Sequence, residues 1–142
     1  MTFHIRKAVA ADAHTLTGCY AAAYAPFQHF GLPPVTEGVA EDIADHNVWV
    51  GVQAGKVCGG IVLVLGNHAH IANFAVHPDV AGQGIGPTLI DQALDAAQAA
   101  GHDQVQLVTH AKMIKTQGFY RQHGWTETGR DGDKVYFSKQ LT

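Results

Sequence analysis

Ala81-Gly82-Gln83-Gly84-Ile85-Gly86 stands between a strand-like run ending at Val76 and the clearest helical pattern in the chain. Three of the five residues 82–86 are glycine, so the backbone can turn sharply there and approach an anion closely. The helix is expected over 87–100. Pro87 suits its first turn, Leu89, Ile90, Ala93, Leu94 and Ala97 recur at helical spacing, and Gly101 closes it. Unpaired amides at such a helix start converge on one point, aided by the helix dipole. That point needs no lysine and suits a pyrophosphate. Over so short a motif, an ordinary glycine-rich turn reads the same way.

Two common phosphate loops do not fit. A dinucleotide loop runs G-x-G-x-x-G in the first βα unit, and counting from Gly82 puts Pro87 in the third glycine's place. A P-loop ends in G-K-[ST], and Gly86-Pro87-Thr88 lacks the lysine.

The rest of the pattern is that of one mixed α/β domain over residues 1–142. Residues 3–8 read as a strand, and Asp12 as the cap of a helix reaching Tyr24 with Leu16, Cys19, Tyr20 and Ala23 on one stripe. Pro33-Pro34 forces a break, and a helix capped by Thr36 is expected over 36–45. Strands at 48–52 and 56–65 form a hairpin around Ala54-Gly55. Further strands are expected at 68–76 and 105–108, a helix at 112–123, and a final hairpin at 125–130 and 134–139 around Asp131-Gly132.

Composition narrows the partners. The formal net charge is −3, so the clustered lysine and arginine that grip nucleic acid are missing. The charged fraction is 15%, against about 25% in typical soluble proteins, with ten histidines supplying polarity outside that count. The apolar run 61–65 is too short to cross a bilayer, and residues 1–6 do not resemble an export signal. Cys19 and Cys58 lack CxxC spacing, which argues against a disulfide scaffold or a thiolate metal site. A cytoplasmic protein with no membrane or nucleic-acid partner is expected.

Val76-His77-Pro78, then Gly82-Gln83-Gly84-Ile85-Gly86, then an amphipathic helix resembles the signature of the GNAT acetyltransferases, V-x-P followed by [Q/R]-x-x-G-x-[G/A]. Downstream, Phe119-Tyr120-Arg121-Gln122-His123-Gly124-Trp125 resembles that family's F-Y-x-x-x-G-[F/W] element. The order of elements matches over nearly the whole chain. The resemblance implies a splayed mixed sheet of about seven strands with about four helices. It also implies acetyl transfer from acetyl-CoA to a primary amine of a small molecule, peptide or protein, directly in a ternary complex. It allows a homodimer. Two positions depart from the pattern: Ala81 stands where the family has Gln or Arg, and Met113 where it often has asparagine. The first removes a side chain that can stabilise the loop, and a coenzyme A-binding module without catalysis stays open as an alternative.

The same resemblance implies the site residues. Ala81, Gly82, Gln83, Gly84, Ile85, Gly86, Pro87 and Thr88 would hold the coenzyme pyrophosphate. Phe74, Ala75 and Val76 would carry the pantetheine arm and polarise the thioester carbonyl. Tyr120 would protonate the departing thiolate, although an aromatic at that helix end also suits a core edge. For a base, His70 is the first choice and His110 the second, with exposed histidines in a histidine-rich chain as the alternative. His68 and His70 on one strand face invite a metal reading, but no third ligand stands near. Tyr20, Tyr24, Phe27, Phe30 and Tyr136 would line an acceptor pocket, with Glu37, Glu41 and Asp42 available to a cationic amine. Core packing explains Tyr20 equally well.

Overall fold

A computed structural model describes residues 2–31 and 35–142. Its strands are β1 (Phe3–Lys7), β2 (Asn47–Gln53), β3 (Lys56–Leu65), β4 (Ala69–Val76), β5 (Gln104–His110), β6 (Thr126–Asp131) and β7 (Lys134–Gln140). They form one seven-stranded sheet in the order β1-β2-β3-β4-β5-β7-β6. Every neighbouring pair is antiparallel except β4 and β5. That parallel pair is in register only at Ala69↔Val105 and His70↔Gln106, after which the strands part. The mixed, splayed sheet of seven strands is the one the family resemblance implied.

Helices α1 (Ala13–Tyr24) and α2 (Val39–Asp45) cover one face, and α3 (Ile85–Ala99) and α4 (Ile114–Gln122) the other. On α1 the stripe Leu16, Cys19 and Tyr20 is buried against Val50, Val62 and Ala75. On α3 the buried residues Leu89, Ile90, Ala93, Leu94 and Ala97 recur at helical spacing and pack on Ile61, Leu63 and Leu107.

Several local expectations are corrected. Helix α2 begins at Val39, with Gly38 in the left-handed region (φ 75°) as its N-cap, so Thr36 caps nothing. Helix α3 begins two residues before Pro87, at Ile85. A 3₁₀ segment, Ala25–Phe30, extends α1, and the Pro33-Pro34 break lies outside the described residues.

Asp12 does not cap α1 with its side chain. Its carboxylate accepts two bonds from the Arg6 guanidinium (2.7 and 3.0 Å) and one from the Val9 N–H (2.8 Å). The bond from Arg6 holds the carboxyl below its usual range, against the opposing effect of burial. Because the folded-state value is lowered, the stabilisation is present above the unfolded carboxylate value near ~4 and is lost as pH falls through the native value. Asp12→Asn should cost about 1–3 kcal/mol at pH 7. It should also flatten the loss of melting temperature between pH 5 and 3; equal acid slopes in both proteins would dismiss the linkage.

Candidate active site

The parting of β4 and β5 opens two cavities that share a wall. One, of about 650 Å³, runs along the glycine turn and the start of α3. The other, of about 540 Å³, lies between the diverging strands and the β6–β7 turn. Tyr24, Phe74, Met113, Thr116 and Tyr120 line both.

The first cavity is built by the turn at 81–86. Gly82 (φ 80°) and Gly84 (φ 90°) take left-handed conformations that a side chain would strain, and this swings the chain into α3. Pro87 has no N–H, so the donors free at this helix start are those of the turn itself. Ala81, Gly82, Gly84, Ile85, Gly86 and Pro87 line the cavity, as do Phe74, Ala75 and Val76 across from them. Gln83 and Thr88 do not. Gln83 accepts a 2.6 Å bond from Gln53 on β2, and the Thr88 hydroxyl donates back to the Gly84 carbonyl at 2.7 Å. The Gln53 brace, absent from the sequence expectations, holds the loop whose usual supporting side chain Ala81 lacks. Lys115 is the one cationic side chain among the described lining residues.

Alternation along β4 decides which of its groups face the gap. His77 donates its N–H to Cys58 on β3 at 2.7 Å. Counting along the antiparallel register, Ala75 and Asn73 spend their backbone groups on β3. Phe74 and Val76 turn theirs toward the splay. Ala75 is therefore removed from the residues expected to polarise a carbonyl.

Tyr120 sits on α4 with its ring edge-on to Trp125 (5.7 Å) and against Phe137 (5.8 Å), almost wholly buried yet lining both cavities. Burial, and secondarily the nearby Tyr24, push its phenol well above the ordinary value, so it stays protonated throughout the neutral range. The start of α4 is pinned by buried Gln117, whose amide donates to the carbonyls of His110 (3.1 Å) and Ala111 (2.9 Å). Arg130 in turn donates to the Gln117 oxygen at 3.2 Å. None of this bracing was foreseen.

His70 is corrected. A bulge opposite Val62 and Leu63 leaves Ala72 out of the β3 register and breaks the alternation that placed residues 68, 70 and 72 together. Ala72 lines the second cavity, whereas His70 is exposed and lines neither. Its pKa is lowered, first by desolvation and then by His46. His110 does line the second cavity. Its Nδ1 accepts the Lys112 N–H (3.0 Å), which leaves the proton on Nε2, 3.8 Å from the Asp133 carboxylate.

The aromatic expectations divide. Tyr24 lines both cavities and donates its hydroxyl to the Phe74 carbonyl at 3.0 Å, Phe27 lines the first cavity, and Tyr136 the second. Tyr20 is corrected: it has no exposed surface and packs between α1 and the sheet, because the α1 stripe carries it inward. Phe30 stacks on the His110 ring at 5.8 Å without lining either cavity. Glu37, Glu41 and Asp42 also line neither; Asp133 and Lys134 are the ionic side chains at the second cavity.

Residues 44–127 match the model of the acetyltransferase (GNAT) domain family, more than half of the chain. The protein belongs to the GNAT acetyltransferase family. It is 33% identical over 96 residues to the peptidyl-lysine N-acetyltransferase YjaB of Salmonella typhimurium, covering 66% of this chain and 60% of that protein. It is 31% identical over 101 residues to the aminoalkylphosphonate N-acetyltransferase of the same organism, covering 65% of this chain and 66% of the other. The chain thus spans less than two thirds of either relative. The PaiA N-acetyltransferase of Thermoplasma acidophilum, solved with coenzyme A, shares its fold (TM-score 0.89, 19% identity, 99% of this chain and 100% of the other). So does the ribosomal-protein-S18-alanine N-acetyltransferase of Escherichia coli (TM-score 0.81, 19% identity, 99% and 95%).

Proposed function

We propose that this chain is an N-acetyltransferase that moves an acetyl group from acetyl-CoA to a primary alkyl amine. The observation that carries the reading is the junction of the two cavities at Tyr120. One cavity is lined by a helix start and open β4 edge suited to a phosphorylated, amide-bearing arm; the other is left for an acceptor. Acetyl-CoA supplies the acetyl group as a thioester, to whose carbonyl carbon the neutral amine adds before the C–S bond breaks and the thiolate leaves.

The chain's own residues do the rest. Amides of the turn at 82–86 bind the pyrophosphate, with Lys115 as the cationic side chain among the described lining residues. The open backbone edge at Val76 orients the arm, and the Tyr120 hydroxyl gives its proton to the leaving sulfur and recovers one from solvent after the adduct's nitrogen has shed its own. Neither His70 nor the occupied Nδ1 of His110 is placed to take a proton from the amine. The amine therefore loses its proton to solvent at the open mouth beside Asp133, whose side chain is 76% exposed. Both curated relatives are named for acetylating aminoalkyl groups, one on a peptidyl lysine and one on a phosphonate, which supports this acceptor class.

The test follows the coenzyme and then the thiol. Coenzyme A at 100 times its Kd should stabilise the fold by about 2.7 kcal/mol. Acetyl-CoA with a panel of lysine peptides, aminoalkylphosphonates and polyamines should release free thiol for at least one acceptor. No thermal shift with either coenzyme would end the proposal. A shift without turnover on any amine would leave a coenzyme-binding module.

A further inference from the structure

The backbone of Phe74 faces the splay, where β5 has already left β4, and side chains close both of its polar groups. Its carbonyl accepts from Tyr24, and its N–H donates to the Oδ1 of its own neighbour, Asn73, at 3.0 Å. The other end of the Asn73 carboxamide donates to the Val35 carbonyl at 3.1 Å. That second bond fixes the orientation, since a flipped amide would set an NH₂ against the Phe74 N–H and an oxygen against the Val35 oxygen. Val76, the next residue with its edge turned to the gap, has no such side-chain closure among the described residues.

We propose that the Asn73 carboxamide is a placeholder on the Phe74 amide, occupying the position that the acetyl carbonyl oxygen takes during transfer. This rests on the acetyl-CoA reading above. Asn73 is a positioning residue: it acts through the Phe74 N–H and makes no bond to the reacting atoms. A neutral thioester oxygen competes poorly for an N–H already held by a carboxamide. The negatively charged oxygen that forms when the amine adds competes well, because charge-assisted bonds are about twice as strong. The exchange therefore favours the addition intermediate over the bound substrate, which is the differential binding that raises kcat. Free coenzyme, with no carbonyl at this point, leaves the carboxamide in place.

Two variants and two ligands test it. The affinities of coenzyme A and acetyl-CoA are measured by calorimetry on the wild type, on Asn73→Ala and on the nearly isosteric Asn73→Asp. In Asn73→Ala the N–H is free for the ground-state thioester. Acetyl-CoA should then gain about fivefold over coenzyme A relative to the wild type, the worth of one neutral hydrogen bond, while kcat does not rise. In Asn73→Asp one charged oxygen accepts from the Phe74 N–H more strongly than the amide oxygen does, while the bond to the Val35 carbonyl is lost; coenzyme A affinity should stay within about twofold and kcat should fall by about tenfold. An unchanged ratio of the two affinities in Asn73→Ala, or full kcat in Asn73→Asp, with coenzyme A still bound, overturns the placeholder. Failure of the wild type to bind coenzyme A would instead strike the functional reading itself.

Discussion

Tyr120→Phe should lower kcat by at least about 100-fold, the smaller end of what a positioned proton donor contributes. The KM for acetyl-CoA should move little. The ring stays seated against Trp125 and Phe137, so the variant loses one oxygen and no packing. The raised pKa of this phenol poses an apparent difficulty, since a free thiol titrates near ~8.5 and a weaker acid donates uphill. The same burial would destabilise the departing thiolate too, raising its basicity in the same direction as the phenol's. It also keeps the hydroxyl protonated at the alkaline pH where the amine is neutral. For an alkyl amine that loses its proton to solvent, kcat/KM should climb with pH and level off at about pH 10, the pKa of the free ammonium. Tyr120→Phe should follow the same profile at a lower level. Full turnover in the variant would remove the phenol from the mechanism, and a profile with a histidine-like midpoint near ~6.5 would restore an imidazole base.

The parts of this site that were legible in the sequence are those that local rules determine. Glycines at 82, 84 and 86 ahead of a 3.6-periodic stripe announce a turn into a helix whatever lies elsewhere. The Ala54-Gly55 hairpin and the α1 stripe belong to the same class, and the stripe carries Tyr20 into the core, where the expectation that it lines an acceptor pocket does not hold. What could not be read depends on register. A bulge at Ala72 is a property of two strands together, and so is the pairing of His70 with Gln106 on β5; between them they keep His70 out of the gap it was expected to face. The Gln53 to Gln83 bond, the Gln117 brace and the arrival of Asp133 and Lys134 at the second cavity join residues distant in sequence. No periodicity records such pairings. The start of α3 falls between these classes: the helical stripe was visible, but the left-handed glycine that admits Ile85 to the helix is a backbone choice the stripe does not encode.

Gly60→Ala should destabilise the fold by about 1–3 kcal/mol, the usual cost of forcing a methyl into a filled core. A Cβ at this position would meet Leu16 Cδ1 at 2.5 Å and the Trp49 carbonyl oxygen at 3.2 Å. Leu16 has no exposed surface, so it has no solvent side to yield toward. Leu16→Ala should cost about 2–5 kcal/mol by itself. In the double variant the added methyl occupies part of the space the leucine leaves, so the combined loss should fall short of the sum by about 1 kcal/mol or more. The consequence reaches the site because Leu16 and Tyr24 ride on the same helix. Glycine at 60 lets α1 lie close on β3, and that depth brings the Tyr24 hydroxyl within 3.0 Å of the Phe74 carbonyl. Lifting α1 should therefore weaken catalysis in Gly60→Ala at temperatures where the variant is still folded. The double variant should recover part of it. Denaturant midpoints measured around this cycle carry the test: additive losses would mean that the methyl and the leucine never compete for the same volume. An unchanged midpoint for Gly60→Ala would mean that α1 lies farther from the sheet than Leu16 and Gly60 place it.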